Sequence, residues 1–495
     1  MSIERIEYQG AFREFASNSS LTGFSHLKSN HWAERYIWYF IHLLSLSITI
    51  YLIIFGWNNF MTNPTVITVE SIGSRHVDIK LPSISICNIH KISKKKAERY
   101  AQYLSSKSGV PIDEVLKNIS LLGYLYEYNL PSKLDGIVEF QTFLEKYDSS
   151  KSGYFNTSER LYQLQPACEE VVKDCEWQGL NRSCSDIFIT DFTTEGLCCV
   201  FNYVSSKNNE RLSPIVVQNN YKPIPFRAND VMKFTIMSNE SDIFFTSLST
   251  AAPVKILVSH PKNFPDVPSG ETSERIIDKS KEISLRISPI VTKTTPEVRK
   301  YSIDKRNCWF SDEVETMLGS YSFSNCIMEC KIRSIVALCQ CIPYNYVNVF
   351  EGGRSRYFQC TLADLTCLNS FSNKWRTIYP VNYQGFGLER EKQDSIRCVE
   401  CIPSCSDTQY HVMYEGADII INGTKTNFSI VRILQEKSIG VYNKQDAFYY
   451  WYDMLSMFGG LCSITMGISF ISIFEIIYYF IWVAIKKKIE NTKNQ

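Results

Sequence analysis

Two uninterrupted apolar runs stand out from a chain that elsewhere mixes polar and apolar positions. The first, Ile37 to Trp57, holds no Asp, Glu, Lys or Arg, and a run of this length is enough to cross a bilayer as a helix. Tyr36, Trp38, Tyr51 and Trp57 bracket it as interfacial aromatics do. It starts too far from Met1, and lacks the small-residue cleavage site, to read as a removable signal, so it is expected to be a retained anchor. His42 within it reads as a packed or hydrogen-bonded histidine rather than a proton sensor. The second run, Met454 to Ile485, carries one charge, Glu475. At 1.5 Å per residue it measures about 48 Å as a helix against a hydrocarbon core of about 30 Å, so it must tilt, protrude or break. Ser456, Gly459, Gly460, Ser463 and Gly467 recur at steps of three and four and put the small residues on one face. Beyond Gly467 the polar positions shift to Ser469, Ser472 and Glu475. The stripe changes register there, and the pattern predicts a break at Gly467, Ile468 and Ser469.

Small residues in a span ordinarily serve close helix packing. Glu475 adds something else: it lies 11 residues inside Lys486, and a lone carboxylate at bilayer depth costs about 2.5 to 3.5 kcal/mol on insertion scales. It needs a wet or paired setting. If several copies of the span surround an axis, their carboxylates line an aqueous cation path, and carbonyls freed at the break replace part of an ion's hydration shell.

Lys486 to Lys488 abut the second run, which by the positive-inside rule makes the C-terminal tail cytoplasmic. Two spans then put the N-terminus on the same side, with the long segment between them outside. The expected division is 1–36 cytoplasmic, 37–57 first span, 58–452 extracellular, 453–485 second span and 486–495 cytoplasmic. Within the outer segment, Lys94 to Ser106 reads as a short basic helix. Pro214 to Phe245, Val254 to His260 and Ile283 to Val291 read as strands from their β-branched and aromatic alternation. Asp312 to Leu318 and Ser324 to Leu338 read as helices, the latter with Cys326 and Cys330 on one face.

Seventeen cysteines sharpen the picture: sixteen lie between Cys87 and Cys405, and Cys462 sits in the second span. An even number between two spans points to disulfides in an oxidising compartment. Six N-x-S/T sequons, at Asn118, Asn156, Asn181, Asn239, Asn422 and Asn427, share that segment and mark it as a glycoprotein exterior. Close spacings such as Cys339-x-Cys341 and Cys398-x2-Cys401-x3-Cys405 are compatible in principle with zinc, but the extracellular setting favours bridges and no metal is expected. A net charge of +1 gives no reason to expect nucleic acid. No H-E-x-x-H, G-x-S-x-G or Walker loop is present, so an enzyme reading has no support and no cofactor is expected.

Leu81-Pro-Ser-Ile-Ser-Ile-Cys87-Asn88 after the first span, Gly467-Ile468-Ser469 preceded by Phe458-Gly459-Gly460 and followed by Glu475, and the ten-cysteine array from Cys308 to Cys405 together resemble the degenerin/epithelial sodium channel/acid-sensing ion channel superfamily. Tyr321 to Cys330, Cys339 to Pro343 and Cys401 to Cys405 look most like its insect pickpocket branch. The resemblance spans nearly the whole chain. It implies a membrane α+β fold with two transmembrane helices flanking a disulfide-rich, hand-shaped ectodomain, in which a central β-sheet carries a helical finger and thumb. It further implies a homo- or heterotrimer in the plasma membrane and an amiloride-sensitive, sodium-selective pore, Na+ being the permeant ion.

By position, Gly467, Ile468 and Ser469 fall at the selectivity filter, Ser463 and Gly460 at the blocker site, and Ser456 where bulky residues hold such pores open. The family's cytoplasmic His-Gly gating motif corresponds here to Thr22-Gly23, a departure that bears on open probability. The implied bridges are Cys87 to Cys198, Cys168 to Cys175, and a thumb ladder of Cys308 to Cys405, Cys326 to Cys401, Cys330 to Cys398, Cys339 to Cys367 and Cys341 to Cys360. Cys184 and Cys199 exceed the vertebrate pattern and are expected to pair. The expected function is a sensory cation channel subunit gated through its ectodomain by an unidentified stimulus or ligand. A non-conducting receptor or regulatory subunit, and an ATP-gated purinergic-type channel, are the alternatives.

Overall fold

The computed structural model describes residues 19, 21–29, 31–62, 64–71, 79–128, 136–149, 155–204, 212–220, 222–225, 232–246, 252–346, 358–379, 389–421, 423–436 and 441–493. The chain divides into two compact units, one of residues 1–67, 295–306 and 445–495, the other of 68–294 and 307–444.

The first unit holds the apolar runs. Trp32–Thr62 is one helix of 31 residues, longer at both ends than the expected span, and its most apolar window has a mean hydropathy of 2.0 with 6% of it buried. Among the described residues it alone is long and apolar enough to cross a membrane by itself. The C-terminal run forms two helices, Trp451–Met466 and Phe470–Lys493, which meet the same test only as one broken pair bent by 69°.

Around the C-terminal end of the first helix this unit gathers an aromatic and polar collar from residues 295–306 and 445–450. Phe60 packs its ring 6.4 Å from both Tyr301 and Tyr449. Thr295 donates its amide to the Gln445 carbonyl at 3.0 Å and its hydroxyl to Asp446 at 2.8 Å, and Tyr450 donates to the same carboxylate at 2.8 Å.

The second unit is built on sheets. Lys281–Thr294 alternates buried and part-exposed residues along its length, with Ile283, Leu285 and Ile287 fully buried, the period of two that a strand imposes. It pairs antiparallel with Ser406–Asp418, from Lys281 opposite Asp418 to Lys293 opposite Ser406, and parallel with Phe428–Gln435. A five-stranded sheet runs in the order Ser273–Ile277, Val254–Ser259, Ser83–Asn88, Gly196–Phe201, Ile189–Thr193. Apolar residues of the two sheets, among them Ile84, Phe201, Phe234 and Val431, form one core.

Helices cover the rest. Lys94–Ser108 starts at Ser93, whose hydroxyl accepts from the Lys96 amide, and stops at Gly109 in the left-handed conformation, the usual start and stop chemistry. It buries Ala97, Tyr100, Ala101 and Leu104 in a second core with Ile119 and Leu122. Phe323–Cys339, capped by Ser322, packs Ile327, Met328 and Ile332 with Leu368 and Trp375 in a third. Its Lys331 is paired with Asp266 at 2.6 Å, both side chains 3% exposed or less.

Two expected elements differ. Pro214–Gln218 opens the expected strand region as a helix, because proline's fixed φ suits the first helical turn; among the described residues the first strand of this region is Met232–Met237. Asp312 to Leu318 is a turn and a short hairpin, Glu315–Thr316 against Gly319–Ser320. Glu313 there accepts from the Phe310 amide, and Gly319 takes φ 113, local bonds that outcompete one or two marginal helical turns.

The structure joins Cys308 to Cys405, Cys326 to Cys401, Cys330 to Cys398, Cys339 to Cys367 and Cys341 to Cys360 beside the long capped helix, and Cys87 to Cys198 in the five-stranded sheet. Two expected bridges are corrected. Cys168 pairs with Cys199, and Cys175 with Cys184. Neighbours on a strand point to opposite faces, so Cys198 turns toward Cys87 while Cys199 turns to the other side and meets Cys168. The chain after Val172–Trp177 folds straight back, with the Arg182 amide bonded to the Cys175 carbonyl at 2.9 Å, which carries Cys184 to Cys175. Of the sequons, Asn181, Asn239 and Asn427 are exposed and Asn118 and Asn156 half-buried. Asn156 caps Thr157–Leu164 by accepting from the Glu159 amide, and Asn422 lies outside the described residues.

Candidate functional site

The break between the C-terminal helices is a helix stop joined to a helix start. Gly467 takes φ 65 and ψ 21, and its amide bonds to the Ser463 carbonyl at 3.0 Å while the Ile468 amide bonds to the Cys462 carbonyl at 3.3 Å, so the left-handed glycine brings the orphan carbonyls of the last turn onto amides just past it. Ser469 then caps the next helix: its hydroxyl accepts from the Ser472 amide at 3.2 Å and lies 3.0 Å from the Ser472 hydroxyl, and Ser472 is 1% exposed. A G-x-S tripeptide therefore encodes the break directly, glycine for the left-handed turn and serine for the cap. Ser472, which the sequence pattern places on the polar face without a role, is the partner of Ser469 in this cap; serines three residues apart at a helix start are the available signal.

The first helix holds the break from one side. Ser45 donates to the Thr465 carbonyl, and the Thr49 hydroxyl donates to that of Thr465 at 2.6 Å, with Thr49 3% exposed. Further out, a Cβ on Gly56 would lie 3.0 Å from Met457 Cε, so the helices touch closely there.

The opposite face is bare. Ser456, Gly459, Gly460 and Ser463 are exposed, and nothing lies within 4 Å of a Cβ built on either glycine. Glu475 is half-buried on the second of the two helices.

The segment before the first helix closes the break from below. A Cβ at Gly467 would collide with Thr22 Oγ1 and lie 2.9 Å from Thr22 Cβ, and one at Gly23, which has φ 82, would lie 2.8 Å from the Trp38 ring. Thr22, Gly23 and Gly467 are thus brought together, although 444 residues of chain separate Gly23 from Gly467. Ser456 stands apart, about 16 Å up the helix at 1.5 Å per residue.

The second unit holds a separate feature. A cavity of about 620 Å3 lies at the foot of Phe323–Cys339, lined by His260, Asn263, Lys293, Tyr321, Ser404 and Asp407. Beside it Glu271 accepts from Asn263 Nδ2 at 3.0 Å and from the Ser324 amide at the helix start. Burial, then the neighbouring Asp407, pushes the Glu271 carboxyl up to about 8, and burial also raises Asp407. Burial takes the His260 imidazole down to about 4. Glu271 therefore contributes stability that is full below about pH 4.5 and is lost as pH climbs to about 8, by at most about 1.4 kcal/mol per unit. Thermal unfolding of wild type against Glu271→Gln, which mimics the protonated acid, should show the difference widening from pH 5 to pH 8 in favour of the variant; a constant difference would assign the carboxyl no such role.

Comparison with known proteins bears on these features together. A family model described as "Amiloride-sensitive sodium channel" matches residues 15–479. "Sodium channel protein Nach" of Drosophila ananassae is 23% identical over 487 residues, 95% of this chain and 86% of that one. "Pickpocket protein 11" of Drosophila melanogaster is 25% identical over 326 residues, 63% of this chain and 54% of that one. The "Bile acid-sensitive ion channel" of Mus musculus is 22% identical over 517 residues, covering 96% and 88%. A solved proton-activated chloride channel covers 90% of this chain at 8% identity and a TM-score of 0.29, a likeness too slight to bear on the fold.

Proposed function

From the premise that this chain belongs to the amiloride-sensitive sodium channel family, a family of ion channels and not of enzymes, we propose that it is one subunit of a trimeric, sodium-selective cation channel of the plasma membrane. Trp32–Thr62 is the first span and the broken pair the second, with Lys486 to Lys488 and the N-terminal segment in the cytoplasm and residues between the spans outside. The bare face of Ser456, Gly459, Gly460 and Ser463 lines the axis among three subunits. Gly467, Ile468 and Ser469 form the narrow point, where carbonyls outside the helical ladder strip water from the ion. Ser463 and Gly460 receive amiloride, and Glu475 supplies negative charge on the path.

The observation that carries this reading is the helix broken at Gly467 to Ser469 with its small-residue face uncovered by its own chain. A helix serving only to anchor has no need of a capped break, and it would bury its glycines against a neighbour.

The ectodomain receives the stimulus, sensory in kind, and the collar around Phe60, Tyr301 and Tyr449 passes it to the spans. Thr22 at the position of the family histidine favours assembly with a related subunit that brings the histidine.

Whole-cell recording with and without amiloride, alone and with related subunits, tests the proposal, provided surface expression is checked. Glu475→Gln should lower cation conductance or sodium selectivity. No amiloride-sensitive current in any combination, despite surface trimers, would leave a non-conducting receptor as the better reading.

A further inference from the structure

His42 is half-buried on the first helix, one turn beyond Trp38. Its Nε2 is sealed from solvent with no hydrogen-bond partner, an unfavourable setting for a polar atom. A leucine would pack there without that cost. What seals the imidazole is the segment just before the helix. The Phe24 ring centroid is 5.0 Å away, and Gly23 comes so near that a Cβ on it would lie 3.3 Å from His42 Cε1. His26 stacks on Trp38 at 4.5 Å alongside. The next residue along, Thr22, sits against Gly467 at the break. His42, Gly23, Thr22 and Gly467 thus form one unbroken line of contact from the first helix to the break.

We propose that His42, expected from the sequence to be a packed or hydrogen-bonded histidine and not a proton sensor, is instead a positioning residue of this line that responds to protonation. Neutral, its ring is the floor on which Gly23 and Phe24 rest, and so it holds Thr22 against Gly467. Protonated, the imidazole must reach water or a partner, and it lifts the segment away from the break. Cytoplasmic acidification is the signal that would bring this about. Other groups near the line do not substitute for it. His26 is exposed and sits 3.3 Å from Glu34, which also accepts from Ser29, and the Arg35 guanidinium is bonded to the Ser29 carbonyl at 2.9 Å. On the facing helices the titratable side chains bracketing the break in sequence are Cys462 and Glu475. The consequence for conduction rests on the reading of the break as the filter; the movement itself does not.

The test uses the full-length channel in lipid nanodiscs, with Thr22→Cys in a Cys462→Ser background and a charged thiol reagent. The modification rate with His42 present, divided by the rate in His42→Phe, cancels the thiol's own ionisation. This ratio should rise about fivefold or more from pH 7.5 to pH 5.5, the scale of a protonation-linked population shift, and should still rise when His26→Gln is added. A ratio flat across that range, or a rise abolished by His26→Gln, overturns the proposal. If Thr22→Cys does not assemble, Leu21→Cys, buried on the same segment, carries the label. The readout needs no current, so a channel that proves silent would count against the conduction reading and leave this inference standing.

Discussion

Gly467→Ala should abolish most of the sodium current at unchanged surface expression, and Thr22→Gly should restore part of it. Two separate costs fall on the alanine. The left-handed backbone at φ 65 is disfavoured for a residue with a Cβ by about 1–2 kcal/mol. The added methyl also enters the space held by Thr22 Oγ1. Thr22 must therefore withdraw, or the turn must open and lose the bonds from Gly467 and Ile468 to the preceding helix. On the proposed reading of the break as the filter, either outcome moves the carbonyls that would face the ion. Removing the Thr22 side chain relieves the collision but not the backbone strain, so recovery should be partial, and Thr22→Gly alone should cost less current than Gly467→Ala. Recording current and reversal potential for the four combinations checks this. Additive losses with no rescue would mean that the two residues do not meet in the assembled channel.

The second large effect is expected at Ser456. Its side chain is exposed and the glycines one turn on have open space, while the other side of the same helix is occupied by the Gly56 and Met457 contact. In the proposed trimer the open side is where three copies would converge, and the closed pore would require them to approach. Ser456→Trp should hold them apart and raise resting amiloride-sensitive current by about tenfold, equivalent to about 1.4 kcal/mol against the closed state. Met457→Trp, on the occupied side, should instead disturb assembly. Unchanged resting current in Ser456→Trp at normal surface levels would remove this residue from the axis.

Much of this site could be read from the chain before any coordinates. The register change of the small residues located the break to three residues, because a glycine stop followed by a serine cap is written entirely in local sequence. Alternation in Ile283 to Val291 located the central strand for the same reason: one face of it is packed and the other is not. What failed to be legible was decided by partners distant in sequence. Cys198 and Cys199 are adjacent, and only their opposite orientation on a strand between two different neighbours tells which bridge each makes. Asp312 to Leu318 had a helical look, and bonds to Phe310 and around Gly319 overrode it. Thr22 against Gly467, and His42 beneath Gly23, join the two ends of the chain, and no pattern within either end announces the other.

The division of the chain carries a practical consequence. The polypeptide passes between the two units four times, after residues 67, 294, 306 and 444, so the short piece 295–306 belongs with the apolar helices although sheet and thumb residues flank it on both sides. An ectodomain fragment cut at 68 and 444 would carry that piece without its mates. Tyr301 would lose the Phe60 ring, and Thr295 would lose both Gln445 and Asp446. Such a fragment should be sticky and prone to clump unless residues 295–306 are replaced by a polar linker, even with every sulfur bridge in place.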